Sequence, residues 1–172
     1  MHGLEKGVVR LEPYSSEWKQ FFEVEKAALL AVLDANILDI QHVGSTSIPG
    51  MLAKPIVDIA IAVADFEAAR VCIPPIEKLG YEYKGEYGIP RRHYFVKGEP
   101  RTAHIHVTEI HSTEWQNLLL FRDYLRQHDQ IAEDYADLKR QLALQFPRDR
   151  EAYLNGKAAF IEGVIQRARD QG

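Results

Sequence analysis

The apolar stretch "PIVDIAIAV" (55–63) carries a single carboxylate, Asp58. Strand periodicity puts Val57, Ile59, Ile61 and Val63 on one face and Ile56, Asp58, Ala60 and Ala62 on the other. Asp58 thus points away from the bulkiest packing, toward small residues that leave room. Either it caps backbone or pairs with an arginine, or it serves a cleft as a metal ligand or a base. "AHIHV" (103–107) repeats the arrangement, with His104 and His106 on one face. Two imidazoles at i, i+2 can converge on one ion or one phosphate. If this strand lies beside the Asp58 strand, the three side chains form a catalytic set with open positions for one divalent metal, Mg, Mn or Zn. His42, immediately before a glycine loop, and Glu86, in a later turn, are further candidate ligands.

The loop "GSTSIPG" (44–50) offers a glycine that lets backbone approach a ligand, Gly44, and three hydroxyls, Ser45, Thr46 and Ser47. No Gly-Lys-Ser/Thr follows, so it is not a Walker loop. It is either a turn between strands or a phosphate cradle. Lys54, Arg91 and Arg92 add cations suited to phosphate oxygens, or else a solvated hairpin edge. Two charges in the last third sit awkwardly. Arg122 falls in the middle of the apolar face formed by Trp115, Leu118, Leu119 and Leu125. Lys157 lies at the margin of the Leu154, Ile161 and Ile165 stripe. Each needs a buried partner, a polar cleft or, for Lys157, a route outward along its stem.

The elements that must position these residues follow from pattern. "GVVRLEPY" reads as a short first strand. Residues 15–33 read as a helix capped by Ser15 or Ser16, "ILDIQHV" as a strand entering the loop, and "PIVDIAIAV" as a central strand. The stretch 66–80 starts as a helix that Pro74 and Pro75 break or restart. "GYEYKGEYGIP" reads as strand and turn, and "RRHYFVKG" with "TAHIHVTEI" as a hairpin. From Ser112 onward the pattern is helical. The expectation is one α/β (α+β) domain over 1–172. Its sheet-bearing part, 1–111, has a mixed sheet and flanking helices, and a C-terminal helical cap occupies 112–172.

Composition bounds the partners. The chain has 172 residues, 46% apolar and 27% charged, with a net charge of −4 and a pI near 6.0. A general nucleic-acid or anionic-membrane surface is not indicated, although a local basic pocket remains compatible. Cys72 is the single cysteine, which excludes an internal disulfide and fits a reducing cytoplasm. No apolar run approaches the ~20 residues of a membrane span, and the first residues lack the apolar core of a signal peptide.

"HVGSTSIPGMLAKPIVDI", with "LGYEYKGEYGIPRRHYF", "HIHV", "LLFRDYLRQH" and "YLNGKAAFI", resembles the GrpB family of small bacterial proteins over nearly the whole chain. The resemblance implies a nucleotidyltransferase-like fold, in which a Gly-Ser loop precedes a strand bearing Asp-x-Asp and a later strand gives a third acid. Two Mg²⁺ ions held there organise a triphosphate for in-line attack. Gly44 and Ser45 match the Gly-Ser element and Asp58 the first acid, whereas Ala60 stands where the second is expected. The function implied is binding of a nucleotide or related phosphorylated small molecule, with nucleotidyl transfer as its reaction. The alternative is a catalytically degenerate binding or regulatory module of the same fold.

Overall fold

The structure is a computed structural model that describes residues 3–172; Met1 and His2 lie outside the described residues. Helix α1 (Glu17–Leu33) buries Trp18, Phe22, Glu25, Leu29 and Leu33, a stripe at helical spacing. Strand β1 (Asp39–Val43) leads into a one-turn 3₁₀ segment, Ser45–Ser47, and β2 (Val57–Val63) follows. Another 3₁₀ segment, Ala68–Cys72, runs into α2 (Ile73–Lys78). Pro74 and Pro75 sit in its first turn, where a missing N–H forfeits no helical bond. Strands β3 (Tyr81–Tyr83), β4 (His93–Lys97) and β5 (Ala103–Glu109) complete the sheet-bearing part. Three helices close the chain: α3 (Thr113–Gln127), α4 (Asp129–Gln145) and α5 (Arg150–Gln171). Ser112 Oγ accepts from the Trp115 N–H and Asp149 Oδ1 from the Ala152 N–H, so α3 and α5 start on capping side chains.

The sheet is mixed, in the order β1-β2-β5-β4-β3. Its centre is the parallel pair β2–β5; the other neighbours are antiparallel, including the β4–β5 hairpin. The period of two sorts its faces. Val57, Ile59, Ile61, Phe95, Ile105 and Val107 pack in one cluster with the α1 stripe. On the other face, Ala60 and Ala62 pack with Val43 and Trp115, and these small side chains let α3 lie close over the sheet. A further cluster ties α3, α4 and α5 together through Phe121, Leu125, Tyr135 and Val164. At Gly156 a Cβ would come within 2.5 Å of the Leu142 side chain, so α4 and α5 pack there closely enough that any side chain would displace Leu142.

The expected strand in "GVVRLEPY" does not form. Glu12 makes only an isolated bridge to Ala53, and the Val9 N–H bonds to the Pro147 carbonyl. This segment crosses to the helical part instead of extending a sheet edge. Among the described residues, no helix is long and apolar enough to cross a membrane.

A candidate cationic cleft between sheet and helices

The parallel ladder places Asp58 opposite His104 and Ala60 opposite His106, so the carboxylate and both imidazoles share a face. Asp58 Oδ1 lies 3.1 Å from His106 Nε2 and 3.3 Å from His104 Nδ1. Arg92 Nη1 lies 3.2 Å from His106 Nδ1. A guanidinium can only donate, so Nδ1 accepts and the His106 proton is on Nε2, facing Asp58. Burial pushes the Asp58 carboxyl up, but the contacts from His104 and His106 outweigh it and hold the group well below the usual carboxylate range. Burial lowers the His104 pKa against the opposing pull of Asp58, and its buried Nε2 has no hydrogen-bond partner among the described residues. Asp58 also explains the glycine of the loop. Gly44 has φ +73°, and a Cβ there would meet Asp58 Oδ2 at 2.6 Å.

Above this floor lies a cavity of about 680 Å³, closed by the loop, the β4 end of the sheet and helices α3, α4 and α5. Six basic side chains line it, Lys54, Arg92, Arg101, Lys139, Arg150 and Lys157, against two carboxylates, Asp58 and Glu114. Lys139 is buried and donates through Nζ to Ser45 Oγ at 3.1 Å and to the Leu52 carbonyl. The ammonium groups of Lys54 and Lys157 lie 5.1 and 4.6 Å from the centroid of the same ring, Tyr153. Neither has a hydrogen-bond acceptor or an ion-pair partner among the described residues. Burial lowers the pKa of all three lysines. Lys54 comes down to about 7, helped by Lys157 and Arg150; Lys139 to about 6, helped by Lys157 and Lys54; Lys157 to about 8, against the pull of Asp58.

Of the residues the sequence singles out, the cleft brings together Gly44, Ser45, Thr46, Lys54, Asp58, Arg92, His104, His106 and Lys157. Five others lie elsewhere, each for a visible reason. Ser47 turns its hydroxyl to the Gly44 carbonyl, and its own carbonyl accepts from Arg126. Arg91 is exposed, paired with Glu109 at 2.9 Å and stacked over Phe66. Glu86 accepts from the Arg91 N–H and directs its carbonyl at Arg92. His42 bonds Thr46 Oγ1 at 2.9 Å and stacks on Phe22, and burial lowers its pKa to about 4. Arg122 is buried as the wheel requires, but it does not reach the cleft. It donates to Gln41 Oε1, the His42 carbonyl and Asp123 Oδ1, fastening α3 to β1. Lys157 does not snorkel outward; its head lies inside, and Leu154 of the same stripe is the more exposed neighbour.

Lys139, Arg101 and Arg150 escape the sequence reading. Lys139 had a signal: it stands four residues after Tyr135 and three before Leu142, on the buried face of α4. Arg101 and Arg150 carry none, because one sits in the β4–β5 turn and the other opens α5 after a loop.

The overall fold is of the nucleotidyltransferase type and is shared with solved structures. The complex of Cid1 with its short product ApU matches with a TM-score of 0.52, covering 76% of this chain and 42% of that one at 14% identity. The chain belongs to the GrpB family, whose model, "GrpB protein", matches residues 8–167. The crystal structure of conserved protein GrpB from Enterococcus faecalis matches with a TM-score of 0.88 and 38% identity, over 94% of this chain and 98% of that one. The UPF0157 protein YqkA of Bacillus subtilis is 42% identical over 98% of this chain. The chain spans about half the length of that relative, 49%.

The two-metal arrangement that the resemblance implies does not fit these residues. Ala60 is fully buried in the cluster with Val43, Ala62 and Trp115, so the place of the second acid lies inside apolar packing. In the later strand, imidazoles stand where an acid would be. The proton on His106 Nε2, set by Arg92, occupies the lone pair a metal would need. Among the described residues, no group of three or more His, Cys, Asp or Glu side chains is placed to hold a metal ion.

Proposed function

We propose that the cleft binds a nucleotide or related phosphorylated small molecule. Its phosphates would lie between the Gly44–Thr46 loop and the ammonium groups of Lys54, Lys139 and Lys157. The observation that carries this reading is the pair of inward ammonium groups, on Lys54 and Lys157, that have no hydrogen-bond acceptor or ion-pair partner among the described residues. A buried, unpaired charge destabilises a fold unless something else compensates it. A phosphate does so, and its oxygens suit lysine as a point charge and Arg92 or Arg101 as forked donors. This basic cluster lines the cavity while the chain as a whole is acidic, with a net charge of −4. That favours a small anion over a nucleic-acid strand.

Asp58, His104 and His106 would give such a ligand an ionised carboxylate and two imidazoles, which are acid–base groups. The sealed position of Ala60 favours a module that holds its ligand without nucleotidyl transfer. Thermal melting against nucleoside phosphates and CoA precursors tests the binding. A saturable rise in Tm that Lys54→Met or Lys157→Met removes is expected; no response from any phosphorylated compound would refute it. Pyrophosphate release from nucleoside triphosphates tests the chemistry, and the binding-module reading expects none.

A further inference from the structure

We propose that the cleft takes its phosphorylated ligand as the free anion, without a divalent metal, the ammonium groups of Lys54, Lys139 and Lys157 standing in for the cations that metal ions supply in transferases of this fold. The inference rests on the reading above that phosphates enter this cavity.

Three observations lead to it. First, the cations are built in and anchored to the loop that would cradle the phosphate. Lys139 reaches from α4 to Ser45 Oγ at 3.1 Å, and Ser45 is the residue that matches the phosphate-side element of the fold. Lys54 and Lys157 both hold their ammonium groups near a single ring, Tyr153. Second, an unmet donor remains at the cavity. Arg150 Nη2 is held by the Glu5 and Val8 carbonyls at 3.1 and 3.0 Å, which locks the guanidinium. Its Nε–H is then buried with no acceptor among the described residues. A buried N–H without an acceptor is rare and signals a missing partner. An oxyanion supplies acceptors, whereas a metal ion supplies none. Third, the cavity opposes a cation. Six basic side chains line it against two carboxylates, Asp58 and Glu114, and Asp58 already receives two imidazoles at one oxygen.

The electrostatics then fix the ligand class. Complexing a diphosphate with Mg²⁺ removes two of its negative charges and surrounds the phosphates with bound water. Both changes weaken contact with ammonium groups that point at the oxygens directly. A metal-dependent site behaves in the opposite way, because its carboxylates repel phosphate until the metal arrives. The lowered pKa values of the three lysines support the assignment, since an entering anion restores their charged state.

The test is calorimetric titration of the full chain with inorganic pyrophosphate, once in excess chelator and once in excess Mg²⁺. Binding in chelator, weakened several-fold or more by Mg²⁺, is expected. Lys157→Met and, as an independent second variant, Lys54→Met should each weaken binding in chelator at least tenfold. Binding that appears only with Mg²⁺ would overturn this inference and leave the phosphate-binding reading intact. Binding in chelator that neither variant changes would place the anion elsewhere and overturn it as well. Absence of binding under both conditions would overturn the reading of the cleft itself.

Discussion

Replacing Lys157 with methionine should stabilise the ligand-free protein at neutral pH. Lys157 is 9% exposed, and its ammonium group has no hydrogen-bond acceptor or ion-pair partner among the described residues and sits 4.6 Å from the Tyr153 ring centroid. Burial brings its pKa down to about 8, with Asp58 pulling the other way. An unfolded lysine titrates near 10.4, so at ~1.4 kcal/mol per factor of ten the charged side chain favours the unfolded chain by ~3 kcal/mol at pH 7. The unfolded chain binds more protons between the folded and unfolded pKa values. The penalty is therefore complete below about pH 8 and gone above ~10.4. Methionine removes the penalty and forfeits a cation–π contact worth ~1 kcal/mol, a net gain of ~2 kcal/mol. For a chain of this length that is a rise in Tm of ~4–8 °C. Calorimetric melts of both proteins at pH 7 and pH 10.5, in buffer free of phosphate and sulfate, check it. The variant should melt higher at pH 7 and no higher at pH 10.5. An equal loss of stability at both pH values would refute the reasoning, because the ammonium group would then be holding the fold together.

Other substitutions separate the cleft from its supports. Gly44→Ala places a methyl group at 2.6 Å from Asp58 Oδ2 in a left-handed backbone conformation; a loss of ~2–4 kcal/mol is expected in denaturant unfolding. Arg122→Leu leaves Gln41 Oε1 and the His42 carbonyl without their donor. It should lower stability by ~2–4 kcal/mol while leaving pyrophosphate affinity unchanged in calorimetry. Ala60→Asp, which writes the missing acid back in, buries a carboxylate beside Trp115. A Tm drop corresponding to ~3 kcal/mol or more is expected, with no gain of Mg²⁺ affinity by titration.

Strand periodicity made much of this site legible. The alternation in "PIVDIAIAV" and "AHIHV" assigned Asp58, His104 and His106 to one face, and the parallel β2–β5 ladder places Asp58 and His104 in register. What those side chains do to one another was not legible. A metal set and a hydrogen-bonded carboxylate give the same sequence pattern, and only the position of Arg92 beside His106 Nδ1 fixes the proton. The helical wheel identified Arg122 as inward but could not name its acceptors, which are the Gln41 side chain and a backbone carbonyl on β1. It underrated Lys157 because a long stem can leave an apolar margin in either direction. "GVVRLEPY" carries strand-forming residues, yet its backbone partners are Ala53 and Pro147, distant in sequence. Local preference cannot see such pairing. The basic cluster draws Lys54 from a loop, Lys139 from α4 and Lys157 from α5, so it exists only once the helical cap is folded over the sheet.

The most direct measurement is the pH titration of the lysine Cε resonances by NMR, without and with inorganic pyrophosphate, assigned through Lys54→Met, Lys139→Met and Lys157→Met. Three resonances should titrate near neutral pH in the free protein, where Lys54, Lys139 and Lys157 sit at about 7, 6 and 8, and move upward when the anion is added. If every lysine titrates in the ordinary range near ~10.4 and pyrophosphate moves none of them, the cleft is not the buried cationic anion site described.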